Sequence, residues 1–322
     1  MLRVGLVGAG SMGVNHARII SQSQRGSLAM VFDVNRDVST KVASMWNSTV
    51  ARSADEMASC DAVVVASPTP THHAIGKSLI DLGIPVLIEK PLCSTLWETT
   101  ELIRRSEERD SVICCGFVER FNPALRTALG LLDGPVRHMS TQRHSPFNPR
   151  ASLSVVMDLL IHDLDLTARV APATSPTHVG ASLWASSTSG YIEIADCTMQ
   201  FEQVMIASHS ASRWGQKKIR EVRLQTDTLL MEVDLVRMTV TGYRHRSTNN
   251  EQPDRPASLR SETLVEVPFV RHSGEPLALQ FDHFIDLVMG LADHNAERAS
   301  IEAAHLLAHT VSSVSKKDRL LQ

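Results

Sequence analysis

Three short segments of this 322-residue chain hold residue types whose spacing could do chemistry. The first is Gly8-Ala9-Gly10-Ser11-Met12-Gly13, which follows an apolar run and opens a stretch of helical character. In that setting Gly8 permits a tight turn, Gly10 lets a pyrophosphate approach the backbone, and Gly13 allows helix and strand to pack closely. The amides of Ser11 and Met12, at the helix start, would face the phosphates. Asp33 lies twenty residues beyond Gly13, at the end of a second apolar run. A carboxylate there could bond both hydroxyls of a ribose and would repel a 2′-phosphate, which favours NAD over NADP. Arg36 is near enough to soften that preference.

The second segment is Glu89-Lys90-Pro91, directly after the apolar run Val86–Ile88, and it has a companion in Ser67-Pro68-Thr69-Pro70-Thr71-His72 after Ala62–Ala66. Alone, Glu-Lys-Pro reads first as a polar turn. Beside a glycine loop it becomes a catalytic candidate, because ligands of open α/β sheets bind at the carboxyl ends of the strands. Ser67, Thr69, His72, Glu89 and Lys90 are then the cofactor-facing candidates, with Lys90 held near the nicotinamide. The third segment runs from Asp158 to Asp165. If it is helical, Asp158 and His162 share a face, and a carboxylate beside an imidazole suits a base that takes a hydroxyl proton. A helix-capping Asp and a structurally satisfied His give the alternative reading. Metal binding by His162, Asp163 and Asp165 lacks a second ligand cluster, so no metal is expected.

These residues need elements to position them. Up to residue 121, short apolar runs at Leu2–Val7, Leu28–Phe32, Ala62–Ala66, Val86–Ile88 and Val112–Phe117 alternate with helical stretches, among them His73–Leu82 and Leu96–Glu108. That alternation implies an α/β Rossmann domain, residues 1–121, with a parallel sheet covered on both faces. From residue 122 the pattern becomes longer alternating strands at 136–143, 178–186, 190–201, 203–210, 219–225 and 228–241, with helix returning near Leu277. Residues 122–322 are therefore expected to be an α+β domain with a large, mostly antiparallel open sheet that binds substrate and oligomerises. The polar residues 245–262 read as a mobile surface loop. Apolar residues such as Ile192 and Ile194 on the uncovered face of the sheet point to a homodimer or homotetramer.

The composition limits the classes of function. Apolar residues make up 43%, and 32 basic against 35 acidic residues give a net charge of −3, so neither nucleic acid nor an anionic membrane is expected as a partner. No run approaches the ~20 apolar residues needed to span a bilayer, and the N-terminus reads as a strand rather than a signal peptide. The five cysteines (Cys60, Cys93, Cys114, Cys115 and Cys197) are odd in number and lack metal-ligand spacing, and Cys114 and Cys115, inside an apolar run, read as buried reduced thiols. A cytoplasmic location fits all of this.

The segments VGLVGAGSMGVNHAR, SPTPTHH, LIEKPL, GFVERFNPA and MDLLIHDLDL occur in the order and rough spacing of the Gfo/Idh/MocA oxidoreductases, which the chain resembles over nearly its whole length. The resemblance implies that Lys90 and His162 flank the nicotinamide and the reacting sugar carbon, with Asp158 as the accompanying acid. VERFNPA, RHSPFNPR and SVVMDLLIHDLDL further resemble the UDP-N-acetylglucosamine 3-dehydrogenases, which oxidise a sugar hydroxyl to a ketone. That subgroup makes Arg143, His144 and Arg150 candidates for diphosphate or sugar oxygens. Glu119, Arg120 and Asn122, at the junction of the domains, could close a cleft around cofactor and sugar. The implied substrate is a small nucleotide sugar oxidised at C3, with a free polyol or another nucleotide sugar as the rival and a non-catalytic NAD-binding sensor as the rival of another class. Three features depart from the family pattern: Leu160 stands where a glycine is common, Cys93 follows the lysine turn, and 245–262 is long.

Overall fold

The computed structural model describes residues 1–148, 151–173, 175–250 and 258–318, excluding the side chains of 247–250, 258–260 and 315–318. The chain divides into two compact units: 1–121 with 274–309, and 122–273 with 310–322.

The first unit begins β1 (Leu2–Val7), α1 (Ser11–Gln22), β2 (Gly26–Phe32), α2 (Arg36–Met45), β3 (Thr49–Val50) and β4 (Ala62–Val65). It continues with α3 (His72–Asp81), β5 (Val86–Ile88), α4 (Leu96–Glu108) and β6 (Ile113–Cys115). The strands form a parallel sheet in the order β3-β2-β1-β4-β5-β6. All four residues of β4 and all three of β5 are buried, as expected of parallel strands covered on both faces. The order reverses between β1 and β4, so the glycine loop and the Ser67–His72 segment leave the sheet side by side at the switch point where such folds bind ligands.

The second unit holds α5 (Pro123–Gly130), β7 (His138–His144), a π-helical turn at Val156–Leu160 and α6 (Ile161–Val170). It then adds β8 (His178–Ala185), β9 (Ile192–Phe201), β10 (Met205–Ser212), β11 (Ile219–Gln225), β12 (Leu230–Asp234), β13 (Thr239–Asn250) and β14 (Ser258–Glu266). The sheet order is β14-β13-β12-β11-β7-β10-β9-β8, antiparallel except for the pair β7–β10. One face is apolar: Ala195, Cys197, Met199 and Phe201 of β9 are buried, while Asp196, Thr198 and Gln200 are exposed.

Three expectations change. The run 228–241 is two strands, β12 and β13, joined by a turn. The expected loop at 245–262 extends the sheet instead, since β13 runs to Asn250 and pairs with β14 from Ser258, with 251–257 outside the described residues. Backbone pairing needs no apolar period, so a polar sequence did not announce it. The third change concerns α7 (Pro276–Val288) and α8 (His294–Asp318): residues 274–309 group with the first unit rather than the second. Leu277, Phe281, Phe284 and Ile285 join Val4, Leu6 and Leu28 in one buried cluster. Each buried phenylalanine contributes roughly 1.5–3 kcal/mol.

Candidate active site

The glycine loop has the form its sequence implies. Gly8 takes a positive φ of 91°, and its amide donates to Phe32 O at 2.8 Å. A Cβ on Gly13 would lie 2.0 Å from Gly8 O, so the loop and α1 are in backbone contact. A Cβ on Gly10 would meet nothing within 4 Å. Gly10 also caps α1 without a side-chain hydrogen bond, and Ser11 and Met12 are exposed. An open approach to uncapped helix amides is what a dinucleotide pyrophosphate requires. The half-buried Asp33 is fixed against the same loop: its Oδ2 accepts from Ala9 N at 2.7 Å and its Oδ1 from Asn35 N at 2.8 Å. Arg36 is exposed at the first position of α2.

At the neighbouring strand ends, Ser67 Oγ and Thr71 Oγ1 lie 2.7 Å apart, and Thr69 is half-buried. Two expected cofactor contacts turn inward. His72 is 1% exposed, with Nε2 at 2.8 Å from Ser67 O and Nδ1 at 3.1 Å from Pro91 O. The imidazole therefore stands between a carbonyl of the Ser67 loop and a carbonyl of the lysine turn. Glu89 is buried as well: Oε1 meets His16 Nε2 at 2.7 Å, and Oε2 accepts from Lys90 N at 3.2 Å. Burial alone would raise the Glu89 carboxyl, but the His16 contact together with the Lys90 charge and amide holds the group below its ordinary value. Lys90 itself is half-buried at the carboxyl end of β5.

Arg120 does not present its charge to solvent. Its Nη1 meets both carboxylate oxygens of Glu297 at 3.1 Å, and its guanidinium sits 4.7 Å from the Phe117 ring centroid. Glu119, in the same short turn, is half-buried.

In the second unit, Asp158 lies in the π-helical turn and His162 in the first turn of α6, so the segment is helical throughout. Inserted π turns recur at functional sites. His162 is 8% exposed. Asp158 Oδ2 accepts from Nη2 of Arg213, a buried cation that also pairs with Glu193. Arg143, expected to meet substrate, is instead 2% exposed and braced on Asp163, with Nη2 at 2.8 Å and Nε at 2.9 Å. The same pairing takes Asp163 away from the metal-ligand reading. Among the described residues, no group of three His, Cys, Asp or Glu side chains could hold a metal ion.

Asn122 is also buried: its Oδ1 caps α5 at Ala124 N, and its Nδ2 donates to Leu235 O at 3.0 Å. His144 Nε2 meets Ser210 Oγ at 2.9 Å, and burial pushes this imidazole down. Arg150 lies outside the described residues. Leu160 is fully buried in the core of its unit, and Cys93 is fully buried in the first unit.

The sequence reading missed His16, His305 and Arg213. Each of the two histidines interrupts an apolar helix stripe: Gly13, His16, Ala17, Ile20 in α1 and Ile301, Ala304, His305, Ala308 in α8. A polar group inside a core stripe was the available signal. Arg213 gave none.

Residues 2–117 match the sequence pattern of an oxidoreductase family described as having an NAD-binding Rossmann fold, Gfo/Idh/MocA. Over 247 residues the chain is 32% identical to UDP-N-acetylglucosamine 3-dehydrogenase from Acidithiobacillus ferrooxidans, covering 76% of this chain and 77% of that protein. The chain belongs to the Gfo/Idh/MocA oxidoreductase family. A solved structure of that Acidithiobacillus enzyme superposes with a TM-score of 0.85 at 27% identity, over 97% of each chain. Inositol 2-dehydrogenase from Acidothermus cellulolyticus is 31% identical over 51% of this chain and 52% of its own. As a member of this family the chain is a dehydrogenase with a dinucleotide-binding Rossmann unit. Among the described residues no helix is long and apolar enough to cross a membrane.

Proposed function

We propose that the protein oxidises a secondary hydroxyl of a nucleotide sugar, with C3 of UDP-N-acetylglucosamine as the first candidate, using NAD. The observation that carries this reading is the 32% identity to a UDP-N-acetylglucosamine 3-dehydrogenase over three quarters of both chains. Asp33 supports NAD over NADP, because its carboxylate is fixed beside the glycine loop and would repel a 2′-phosphate. Gly8, Gly10, Gly13 and the first amides of α1 would hold the pyrophosphate, and Ser67 and Thr69 line the adjoining strand end.

The bound dinucleotide supplies a hydride acceptor at nicotinamide C4. In this reading His162 takes the hydroxyl proton as the hydride leaves the sugar carbon. The Lys90 ammonium stabilises the developing alkoxide and relays the proton. Asp158, held by Arg213, orients His162 in this reading. Arg143 and Asn122 serve the fold of their unit rather than the substrate. A homodimer or homotetramer belongs to the same reading, since the second unit's sheet leaves Ile192, Ile194 and Ile206 outside its core.

The test is NADH formation with UDP-N-acetylglucosamine, dTDP-sugars and inositols in parallel. Turnover of the UDP-sugar, falling about 10²–10⁴-fold in Lys90→Met with NAD affinity retained, is the expected result. Turnover of inositol alone would move the substrate to a free polyol. NAD binding without turnover of any of them would overturn the nucleotide-sugar assignment.

A further inference from the structure

The backbone on either side of Lys90 is gripped by three buried histidines from three different helices. His16 of α1 bonds Glu89 at 2.7 Å, and Glu89 in turn accepts the Lys90 amide at 3.2 Å. His72 of α3 meets Pro91 O at 3.1 Å. His305 of α8 accepts the Leu92 amide on Nε2 at 2.8 Å, while its Nδ1 donates to Ile301 O at 2.7 Å. These rings are 1%, 1% and 0% exposed.

The bonding of His305 settles its tautomer. The Leu92 amide is a donor, so Nε2 must offer a lone pair and Nδ1 must carry the proton that goes to Ile301 O. The ring is therefore neutral, in keeping with burial that pushes it down to about 4. A buried histidine that satisfies a backbone amide 213 residues away fixes one position of the chain and does no chemistry itself.

We infer that His16, His72 and His305 are positioning residues for Lys90, a brace that fixes residues 89–92 and with them the point from which the lysine ammonium acts. The inference rests on the reading of Lys90 as a catalytic group. A lysine side chain has four rotatable bonds, so its reach is only as well defined as its Cα. A displacement of about 1 Å at a reacting group costs roughly 10²-fold in rate. A brace of this kind acts on kcat, whereas a purely structural role acts on stability.

The variants are His305→Phe, which fills the space without an acceptor, His305→Gln, whose amide oxygen can still take the Leu92 N–H, and His72→Leu with His72→Asn as its milder counterpart. With NAD and UDP-N-acetylglucosamine, His305→Phe and His72→Leu are expected to lower kcat by about 10–100-fold while NAD affinity stays nearly unchanged. His305→Gln and His72→Asn should recover most of the loss. Parental kcat in the Phe and Leu variants, whatever their melting temperature, overturns the brace, and so does a Gln variant as slow as Phe.

Lys90→Met separates the two readings. If it keeps parental turnover, Lys90 is not catalytic; if it is inactive while His305→Phe is not, only the brace fails. Should the UDP-sugar not turn over, or should the Phe variant fold poorly, the parent, His305→Gln and His305→Leu are compared for Leu92 amide exchange and for the rate at which Lys90 takes an amine-reactive label. Faster exchange and altered labelling in the Leu variant, with Leu92 protection kept in the Gln variant, support the brace. Leu92 protection that survives in the Leu variant overturns it.

Discussion

Arg213 and Asp158 form an ion pair, Nη2 to Oδ2 at 3.2 Å, in which the arginine side chain is 2% exposed and the aspartate 33%. The same guanidinium meets Glu193 at 3.0 Å and Leu153 O. One buried cation therefore serves a buried carboxylate on β9 and a more open one in the π-helical turn before His162. Removing it would strand Glu193 without its cation in the core. Arg213→Leu is expected to cost about 3–5 kcal/mol in denaturant unfolding, because breaking a buried pair leaves an uncompensated charge. Stability within about 0.5 kcal/mol of the parent would contradict this.

Arg143 and Asp163 allow a sharper comparison, with side chains 3% and 1% exposed. Arg143→Met should destabilise the protein by about 3–5 kcal/mol, and adding Asp163→Leu should recover much of the loss, since an apolar pair often replaces a buried ion pair without cost. A substrate contact would behave differently. The single variant would then fold like the parent and show only a raised KM.

Two glycines of one loop should respond in opposite ways. Gly13→Ala places a methyl 2.0 Å from Gly8 O, a backbone atom that cannot rotate away, and should cost about 1–3 kcal/mol or more. Gly10→Ala meets no atom of the protein, so stability should stay within about 0.5 kcal/mol while dinucleotide affinity falls. Calorimetric unfolding and a fluorescence titration with NADH measure the two effects separately.

Asp33→Asn removes the charge and keeps an acceptor oxygen for one of the two amides, of Ala9 and Asn35, that the two carboxylate oxygens serve. The ratio of kcat/KM for NAD over NADP should fall by about tenfold or more, because a like-charge contact with a 2′-phosphate is lost. Exposed Arg36 is free of the fold's core and available to the new phosphate. An unchanged ratio would remove Asp33 from the ribose site.

Stability should depend on two neutral histidines. Burial pushes His209, between Thr141 and Thr167, and His305 down to about 4. Unfolded imidazoles titrate near 6.5, so between these values the unfolded chain binds protons that the folded chain refuses. Stability is then full above about pH 6.5, is lost as pH falls toward about 4, and levels off below, each histidine contributing on the order of a few kcal/mol. Denaturant midpoints across this range measure the slope. His209→Asn should flatten it, and an unchanged slope would reject the assignment.

Local features are legible in the order of the amino acids. Gly8–Gly13 and Asp33 specify their turn and strand end through backbone sterics, and the fully apolar β4 and β5 announce a sheet covered on both faces. Lys90 was visible because it directly follows such a strand. The partners of these groups depend on packing between distant parts of the chain. The apolar stripe of α7 says that something must cover it, but not that Phe281 and Phe284 join the core of β1 and β2. The subgroup resemblance points Arg143 at a ligand, the domain junction points Asn122 there, and the carboxyl end of a buried strand does the same for His72. Each is buried instead, and a buried donor must find an acceptor wherever the fold supplies one, at Asp163, Leu235 O, Ser67 O or Pro91 O. Those acceptors lie up to 113 residues away in the chain. A hydrogen bond at that separation is set by which surfaces pack together, and no periodicity or spacing records it.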